Sequence, residues 1–211
     1  MKKHFLPLLI VAAVIIVWLS AYPDLPAEIP THWNSSGEVD GYSSKLSAML
    51  TSIGMLIIIY LILQFIPRVD PKRKNYQLFS KGYKNTNIAI LILFFFINML
   101  TIGAGLGFDF DMDNLVPLSV GLLLLVIGNY MPQFKPNYFV GIKTPWTLNN
   151  EDVWKRTHRF GGRVFIAGGL LLMLSTLLPD SIEFLVLPVI LLIALLPILY
   201  SYRIHRKMEQ N

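Results

Sequence analysis

Six long stretches of apolar sequence decide what this chain can become. They run Phe5–Tyr22, Ser47–Ile66, Ile88–Phe108, Leu115–Met131, Val164–Leu178 and Ile182–Tyr200, and none contains Asp, Glu, Lys or Arg except Glu183, at the very start of the last. Crossing a hydrocarbon layer of about 30 Å takes about 20 helical residues, with a range of about 17–25. Four stretches meet that length comfortably. The fourth and fifth are short, and the fifth extends backwards if it takes in Phe160, Gly161, Gly162 and Arg163, whose guanidinium then reaches out to the interface. A soluble alternative fails on surface. With 54% hydrophobic and 15% charged residues in 211, one core would have to hide nearly all the apolar area, whereas about a quarter or more of a chain's surface stays exposed at this size. The expected fold is all-α, a polytopic bundle of six transmembrane helices.

Met1-Lys2-Lys3 ahead of an apolar run also resembles a signal peptide. The run is longer than a usual signal core, and Leu19-Ser20-Ala21 puts Leu where a cleavage site wants a small residue. The first stretch is therefore expected to remain as a span.

Orientation follows from Lys and Arg. Threading six spans puts Lys2, Lys3, the Arg68–Lys84 group, the Lys135–Arg163 group, Arg203, Arg206 and Lys207 on one side. Of the 18 basic residues that leaves Lys45 alone on the other. Asp24, Glu28, Glu38, Asp40, Asp109, Asp111, Asp113, Asp180 and Glu183 fall with Lys45. The basic side, carrying both termini, is expected in the cytoplasm of a multi-pass protein of the bacterial cell membrane. Anionic lipid headgroups then account for the net charge of +5 without direct nucleic-acid binding. The absence of cysteine removes disulfides, thiolate metal sites and cysteine nucleophiles.

The segment from Pro23 to Leu46 is the one substantial element on the outer side. Pro23, Pro26 and Pro30 stiffen its first half and exclude helix; Asn34-Ser35-Ser36-Gly37 and Asp40-Gly41 are turn chemistry. Two readings fit. Either the loop is a preformed surface that binds something outside the cell, or Trp33 and Tyr42 anchor it among the headgroups. His32 lies near Glu28, Glu38 and Asp40, but one His among scattered carboxylates lacks the clustered spacing of a zinc site. The Asp109–Asn114 loop opens like a calcium loop, yet Asn114 and Val120 occupy the places where an EF-hand needs Gly and Glu. No metal or other cofactor is expected.

On the inner side, Pro132, Pro136 and Pro145 end the fourth helix and keep the following stretch extended. Asn149 or Asn150 caps a short basic helix with Glu151 and Asp152 in its first turn. It is expected to run to about Phe160 and to stop or bend at Gly161-Gly162. Trp154 and His158 share a face beside Arg159, as in an amphipathic helix lying at the interface with Trp down. Such a helix does not account for the specificity of Gly141-Ile142-Lys143-Thr144-Pro145-Trp146-Thr147-Leu148.

Two passages resemble a known family. Leu25-Pro26-Ala27-Glu28-Ile29-Pro30-Thr31-His32-Trp33-Asn34, continuing to Gly37, Asp40 and Gly41, is similar to the N-terminal module of SdpI-type immunity proteins. Gly141–Leu148, followed by Glu151, Val153-Trp154 and Arg159-Phe160, is similar to their second module. On that resemblance the chain divides into an N-terminal module at 1–70, a basic loop with the third span at 71–114, and a C-terminal module at 115–211. The resemblance implies a Gram-positive immunity protein against a secreted peptide toxin, the sporulation-delaying killing factor. It also implies signalling, in which toxin engagement lets the protein hold a cytoplasmic transcriptional repressor at the membrane. Mapped here, the toxin would meet His32, Trp33, Asn34, Gly37, Asp40 and Tyr42, or the bundle interior. The repressor would dock at Gly141, Lys143, Thr144, Pro145, Trp146, Trp154 and Arg159.

Other classes fit less well. A small transporter would usually carry ionisable residues within its spans; here Asn98 is the notable polar residue, read as a bond between helices. An enzyme would need a nucleophile, metal cluster or paired carboxylates at matching depth, and His4, His32, His158 and His205 are dispersed. A general antimicrobial-peptide or envelope-stress resistance protein without a dedicated toxin is the alternative. The glycines, including Gly103 and Gly107 as a GxxxG and Gly121, Gly128, Gly168 and Gly169, suit either close static packing or helix movement, with packing favoured.

Overall fold

The computed structural model of the protein describes residues 5–34, 36–178 and 186–210. Lys2, Lys3, Ser35, Asp180 and Glu183, used above for orientation and turn chemistry, lie outside the described residues, as does the start of the last apolar stretch. The described chain is mostly helical. Helix α1 covers Phe5–Ala21, followed by strands β1 (Glu28–Trp33) and β2 (Val39–Ser44) and by α2 (Lys45–Val69), α3 (Ser80–Gly105) and α4 (Met112–Tyr130). A short α5 (Pro145–Asn149) precedes α6 (Glu151–Ser175) and α7 (Val186–Glu209), and 3-10 turns occupy Arg73–Gln77 and Met131–Gln133.

Four helical stretches, Lys45–Val69, Ser80–Gly105, Met112–Gln133 and Val186–Glu209, are long and apolar enough to cross a membrane, and α1 is a shorter apolar helix. Their surfaces are greasy. On α2 only Ala48 and Leu56 are buried, while Leu50, Ile58, Leu61 and Phe65 are exposed. So much exposed apolar area is stable only against lipid or another apolar partner.

The chain forms two compact units, residues 1–63 with 88–116 and residues 64–87 with 117–211. In the first, Val14 and Trp18 of α1 pack with Leu25, Ile29, Leu56, Leu91 and Ile102. Asn98 ties α3 to α1 there: Trp18 Nε1 donates to its Oδ1 at 2.7 Å, and its own Nδ2 donates to the Phe94 carbonyl. Both polar groups of a buried pair are thus satisfied. In the second unit an aromatic cluster of Tyr76, Phe79, Met131 and Phe134 gathers Tyr83, Tyr130 and Phe165.

Three expectations from the sequence require correction. Gly161-Gly162 neither ends nor bends a short helix, because α6 runs unbroken from Glu151 to Ser175. Both glycines are buried against neighbours. A Cβ on Gly162 would lie 2.7 Å from the Gly128 carbonyl oxygen, and one on Gly161 would collide with Ile142. Tertiary contact outweighs the low helix propensity of glycine. The GxxxG of Gly103 and Gly107 is not a helix seam: a Cβ on Gly103 would strike the Phe110 ring, and Gly107, at φ +89°, lies in the turn after α3. The outer loop is not merely extended and turned. It is a two-stranded antiparallel hairpin, the one sheet among the described residues.

The glycines that do pack helices closely lie on α4 and α6. Gly121 meets Gly169, and Gly128 meets Gly162, each within 2.7 Å of the partner carbonyl if a Cβ were added.

Candidate functional site

Two polar assemblies stand out, one in each unit. The first is the hairpin. Its register pairs Glu28 with Ser44, Ile29 with Ser43, Pro30 with Tyr42, His32 with Gly41 and Trp33 with Val39, with irregularities on either side of His32. Asn34 builds the turn. Its Oδ1 accepts from the Ser36 and Glu38 amides at 2.9 and 3.0 Å, and its amide donates to the Glu38 carbonyl. Gly37 closes it at φ +67°, a conformation that favours glycine. Ile29 and Leu25 anchor the hairpin in the apolar core. At its base Lys45, which begins α2, donates to the Tyr22 and Leu25 carbonyls at 3.1 and 2.9 Å and sits over the Tyr22 ring.

This construction sorts the residues singled out from the sequence. Asn34 and Gly37 shape the turn, and Trp33 is half-buried. His32, Asp40 and Tyr42 are exposed, with the His32 Nδ1 and an Asp40 carboxylate oxygen hydrogen-bonded across the strands. The hairpin therefore presents an imidazole, a carboxylate and a phenol on a rigid edge. Among the described residues no three His, Asp or Glu side chains gather to hold a metal ion.

The second assembly is built on the segment between α4 and α6. Thr144 caps α5: its Oγ1 accepts from the Thr147 amide, and the Thr147 hydroxyl accepts from the Thr144 amide. Thr147 Oγ1 also donates to the Ile142 carbonyl at 2.9 Å, and Thr144 Oγ1 lies 3.2 Å from Ser201 Oγ on α7. Pro145 occupies the first turn of α5, where its missing N–H costs nothing. Asn150 caps α6, its Oδ1 accepting from the Asp152 and Val153 amides. Of the two asparagines considered for that cap, Asn150 fills it.

Trp154 and His158 correct the expectation of an interfacial helix with Trp turned to lipid. Both are buried, their rings stacked 4.0 Å apart, and Trp154 Nε1 donates to the Phe134 carbonyl at 2.8 Å. His158 Nδ1 bonds the Trp154 carbonyl at 2.9 Å, while Nε2 accepts the Ile142 amide at 3.1 Å. A ring that donates at Nδ1 and accepts at Nε2 is a neutral imidazole. Burial holds its pKa down to about 4, with the bond to the Trp154 carbonyl opposing in part. Gly141, at φ +108°, passes so close that a Cβ there would collide with Nε2.

Sequence reasoning missed a buried polar clasp in the same unit. Asp70, just after α2, accepts from the Lys72 amide, the Tyr76 hydroxyl at 2.9 Å and the Tyr138 amide at 3.0 Å. Asn137 Oδ1 accepts from the Phe139 and Val140 amides, and its Nδ2 donates to the Lys135 and Val140 carbonyls. Asn75 Nδ2 donates to the Pro136 carbonyl. Burial and the Asp70 carboxylate push the Tyr76 phenol well above its ordinary pKa. These bonds join the loop after α2 to the loop after α4. The prolines around Asn137 were the available signal.

What remains on the surface of this unit is basic and aromatic. Lys143 is exposed with its Nζ bonded to the Phe139 carbonyl. Half-buried Trp146 packs on Tyr202 at 5.1 Å and near His205, and Arg159 is exposed on α6. Gly141, Thr144, Pro145 and Trp154 thus hold the segment in place, and Lys143, Trp146 and Arg159 face outward.

Comparison with known proteins gives these features relatives. Residues 133–201, which include α5, α6 and the greater part of α7, match the model of the SdpI/YfhL protein family. Residues 8–57, which contain most of α1, the hairpin and the first half of α2, match a domain of unknown function, DUF1648. The chain is 29% identical over 210 residues to the immunity protein SdpI of Bacillus subtilis (strain 168), covering 99% of each chain. No solved structure matches.

Proposed function

We propose that this chain, as a member of the SdpI/YfhL protein family, is an integral membrane immunity protein that protects its producer from a secreted peptide toxin. The observation that carries the proposal is the similarity to an immunity protein over 99% of both chains. It extends across the hairpin and the α5–α6 segment alike, the two assemblies that the apolar helices alone do not require.

In this proposal six spans place both termini in the cytoplasm, with modules at 1–70 and 115–211 joined by 71–114. Helix α6 supplies the fifth span, its basic first half preceding its apolar second half. The hairpin faces outward and offers His32, Asp40 and Tyr42 to the toxin, on a frame set by Trp33, Asn34 and Gly37. The basic inner surface, with Lys143, Trp146 and Arg159, holds a transcriptional repressor when toxin is bound. Coupling requires the toxin to bind one arrangement of the bundle better than another, since equal binding shifts no population.

Expression in a sensitive Gram-positive host, challenged with the sporulation-delaying peptide and with an unrelated cationic peptide, tests the proposal. Protection against the first alone supports dedicated immunity. Protection against both assigns general resistance, and protection against neither refutes both readings. At unchanged protein level, a His32→Ala/Tyr42→Ala variant is expected to lose protection about tenfold, the loss of roughly 1.4 kcal/mol of toxin contact. Full protection by that variant rejects the outer-face assignment. Trp146→Ala is expected to keep protection while losing toxin-dependent induction of a reporter under the repressor.

A further inference from the structure

The strongest unassigned feature is a cleft of ≈ 440 Å³ on the second unit, lined by Asp152, Lys155, Arg156, Arg159, Phe160 and Arg163 of α6 and by Tyr200 of α7. Asp152, Arg156, Arg159 and Arg163 recur at intervals of four, three and four, so they share one face of the helix. Four cations meet one carboxylate there. None of the four has an ion-pair partner among the described residues, so the cleft carries uncompensated positive charge at close range. Phe160 and Tyr200 stack face to face, 4.2 Å apart at 16°, and give it an aromatic wall.

The location of the cleft identifies its occupant. Beyond Arg163, α6 turns apolar and exposes Leu170, Leu171 and Leu174; ahead of Tyr200, α7 exposes Leu195 and Leu199. The two helices pack together, and Ile193 fills the space over Gly168. The cleft therefore opens where a charged surface passes into an apolar one, with an aromatic pair at the boundary, the arrangement found at headgroup level. Arginine forks grip phosphate oxygens in pairs. The volume lies within the range of small-ligand sites, and basic pockets between membrane helices suit anionic headgroups. An acidic protein segment or a free phosphate would make no use of the apolar flank.

We propose that this cleft binds the phosphate headgroup of an anionic phospholipid, with the acyl chains lying along the exposed leucines of α6 and α7. Arg156, Arg159 and Arg163 hold the phosphate, Lys155 adds charge at the rim, and Asp152 limits the affinity. This inference does not depend on the toxin assignment, but a lipid held here occupies Arg159 and leaves Lys143 and Trp146 to carry the repressor-docking surface.

The test uses the full chain in nanodiscs of phosphatidylcholine doped with phosphatidylglycerol, with bound lipid read by native mass spectrometry after release into detergent. Retention of phosphatidylglycerol over phosphatidylcholine is expected by about tenfold, roughly 1.4 kcal/mol. An Arg156→Gln/Arg159→Gln/Arg163→Gln variant is expected to lose the preference. A Lys72→Gln/Arg73→Gln/Lys74→Gln variant with the same change of charge is expected to keep it. Asp152→Asn moves in the opposite direction, towards stronger retention, so misfolding of the triple variant does not shelter the proposal. Equal retention of the two lipids, equal loss in both triple variants, or weaker retention in Asp152→Asn overturns it. Displacement by inorganic phosphate would assign a soluble anion instead. Arginine-dependent binding of a polyglutamate peptide to discs of pure phosphatidylcholine would assign an acidic protein partner.

Discussion

His158 ties the stability of the second unit to pH in a direction that the structure dictates. The imidazole is fully buried, donates at Nδ1 to the Trp154 carbonyl and accepts the Ile142 amide at Nε2. Protonation would put a second N–H against that amide and bury a charge. Folding therefore lowers the pKa from 6.5 to about 4. The unfolded chain binds the proton first as pH falls, so the contribution is fully present above about pH 6.5 and is lost progressively down to about pH 4. Each tenfold weakening of proton binding on folding is worth about 1.4 kcal/mol, which makes the whole interval roughly 3 kcal/mol. That is a large share of the roughly 5–15 kcal/mol available to an ordinary domain. The perturbation is His158→Gln, whose amide can occupy the site without titrating. Thermal unfolding of both proteins in detergent, followed by tryptophan fluorescence from about pH 7.5 to about pH 4.5, gives the comparison. The two proteins differ only at position 158, so the difference between their profiles isolates that side chain. The wild type should lose stability over that interval by roughly 2–3 kcal/mol more than the variant. Parallel pH profiles would refute the assignment of a buried neutral imidazole.

Two further substitutions test the framework around these sites. Gly141→Ala introduces a Cβ against His158 Nε2 at φ +108°, combining backbone strain of about 1–3 kcal/mol with loss of a buried hydrogen bond of similar worth. Its Tm should fall while Lys143→Ala, two residues on, leaves Tm unchanged; an unaltered Tm for Gly141→Ala would show that the close approach does not exist. Asn98→Leu removes the acceptor of Trp18 Nε1 and should destabilise the first unit by roughly 0.6–1.7 kcal/mol. Denaturation in mixed micelles measures this, and a neutral effect would mean that Trp18 finds another partner.

The helices were legible because an apolar run of spanning length has few alternatives, and the Asn98 bond because a lone amide in such a run needs a partner. The hairpin was not. Pro30 sits within β1 and argues against a strand, while β2 alternates exposed Asp40 and Tyr42 with Val39, Gly41 and Ser43 over too few residues to outweigh the turn signals around it. Gly161 and Gly162 misled for a different reason. Their local propensity points to a helix end, but the approach of Gly128 and Ile142 rewards the missing side chains. Trp154 followed the same logic in reverse: at the start of a basic helix it looked like a lipid anchor, and only the Phe134 carbonyl shows that it is core. Asp70 carries no local pattern, and at Asn137 the neighbouring prolines mark only an extended stretch. The bonds that bring them together, from Tyr138 to Asp70 and from Tyr76 to Asn137, cross between two loops, so their burial emerges only from tertiary structure. At the hairpin, the residues singled out from the sequence do lie on one element, but the sequence did not separate those that shape the turn from those that face solvent.

The paired glycine contacts between α4 and α6 have a mechanical consequence. Two rods touching at one point can scissor about it, whereas two points of contact remove that freedom. Gly121 with Gly169 and Gly128 with Gly162 are about two turns apart on each helix, roughly 10 Å. At both points a Cβ on one glycine would meet the carbonyl oxygen of the other, with the Met173 and Ile166 side chains packed alongside. Two such contacts hold α4 and α6 against scissoring, so a tilt of either helix carries the other with it.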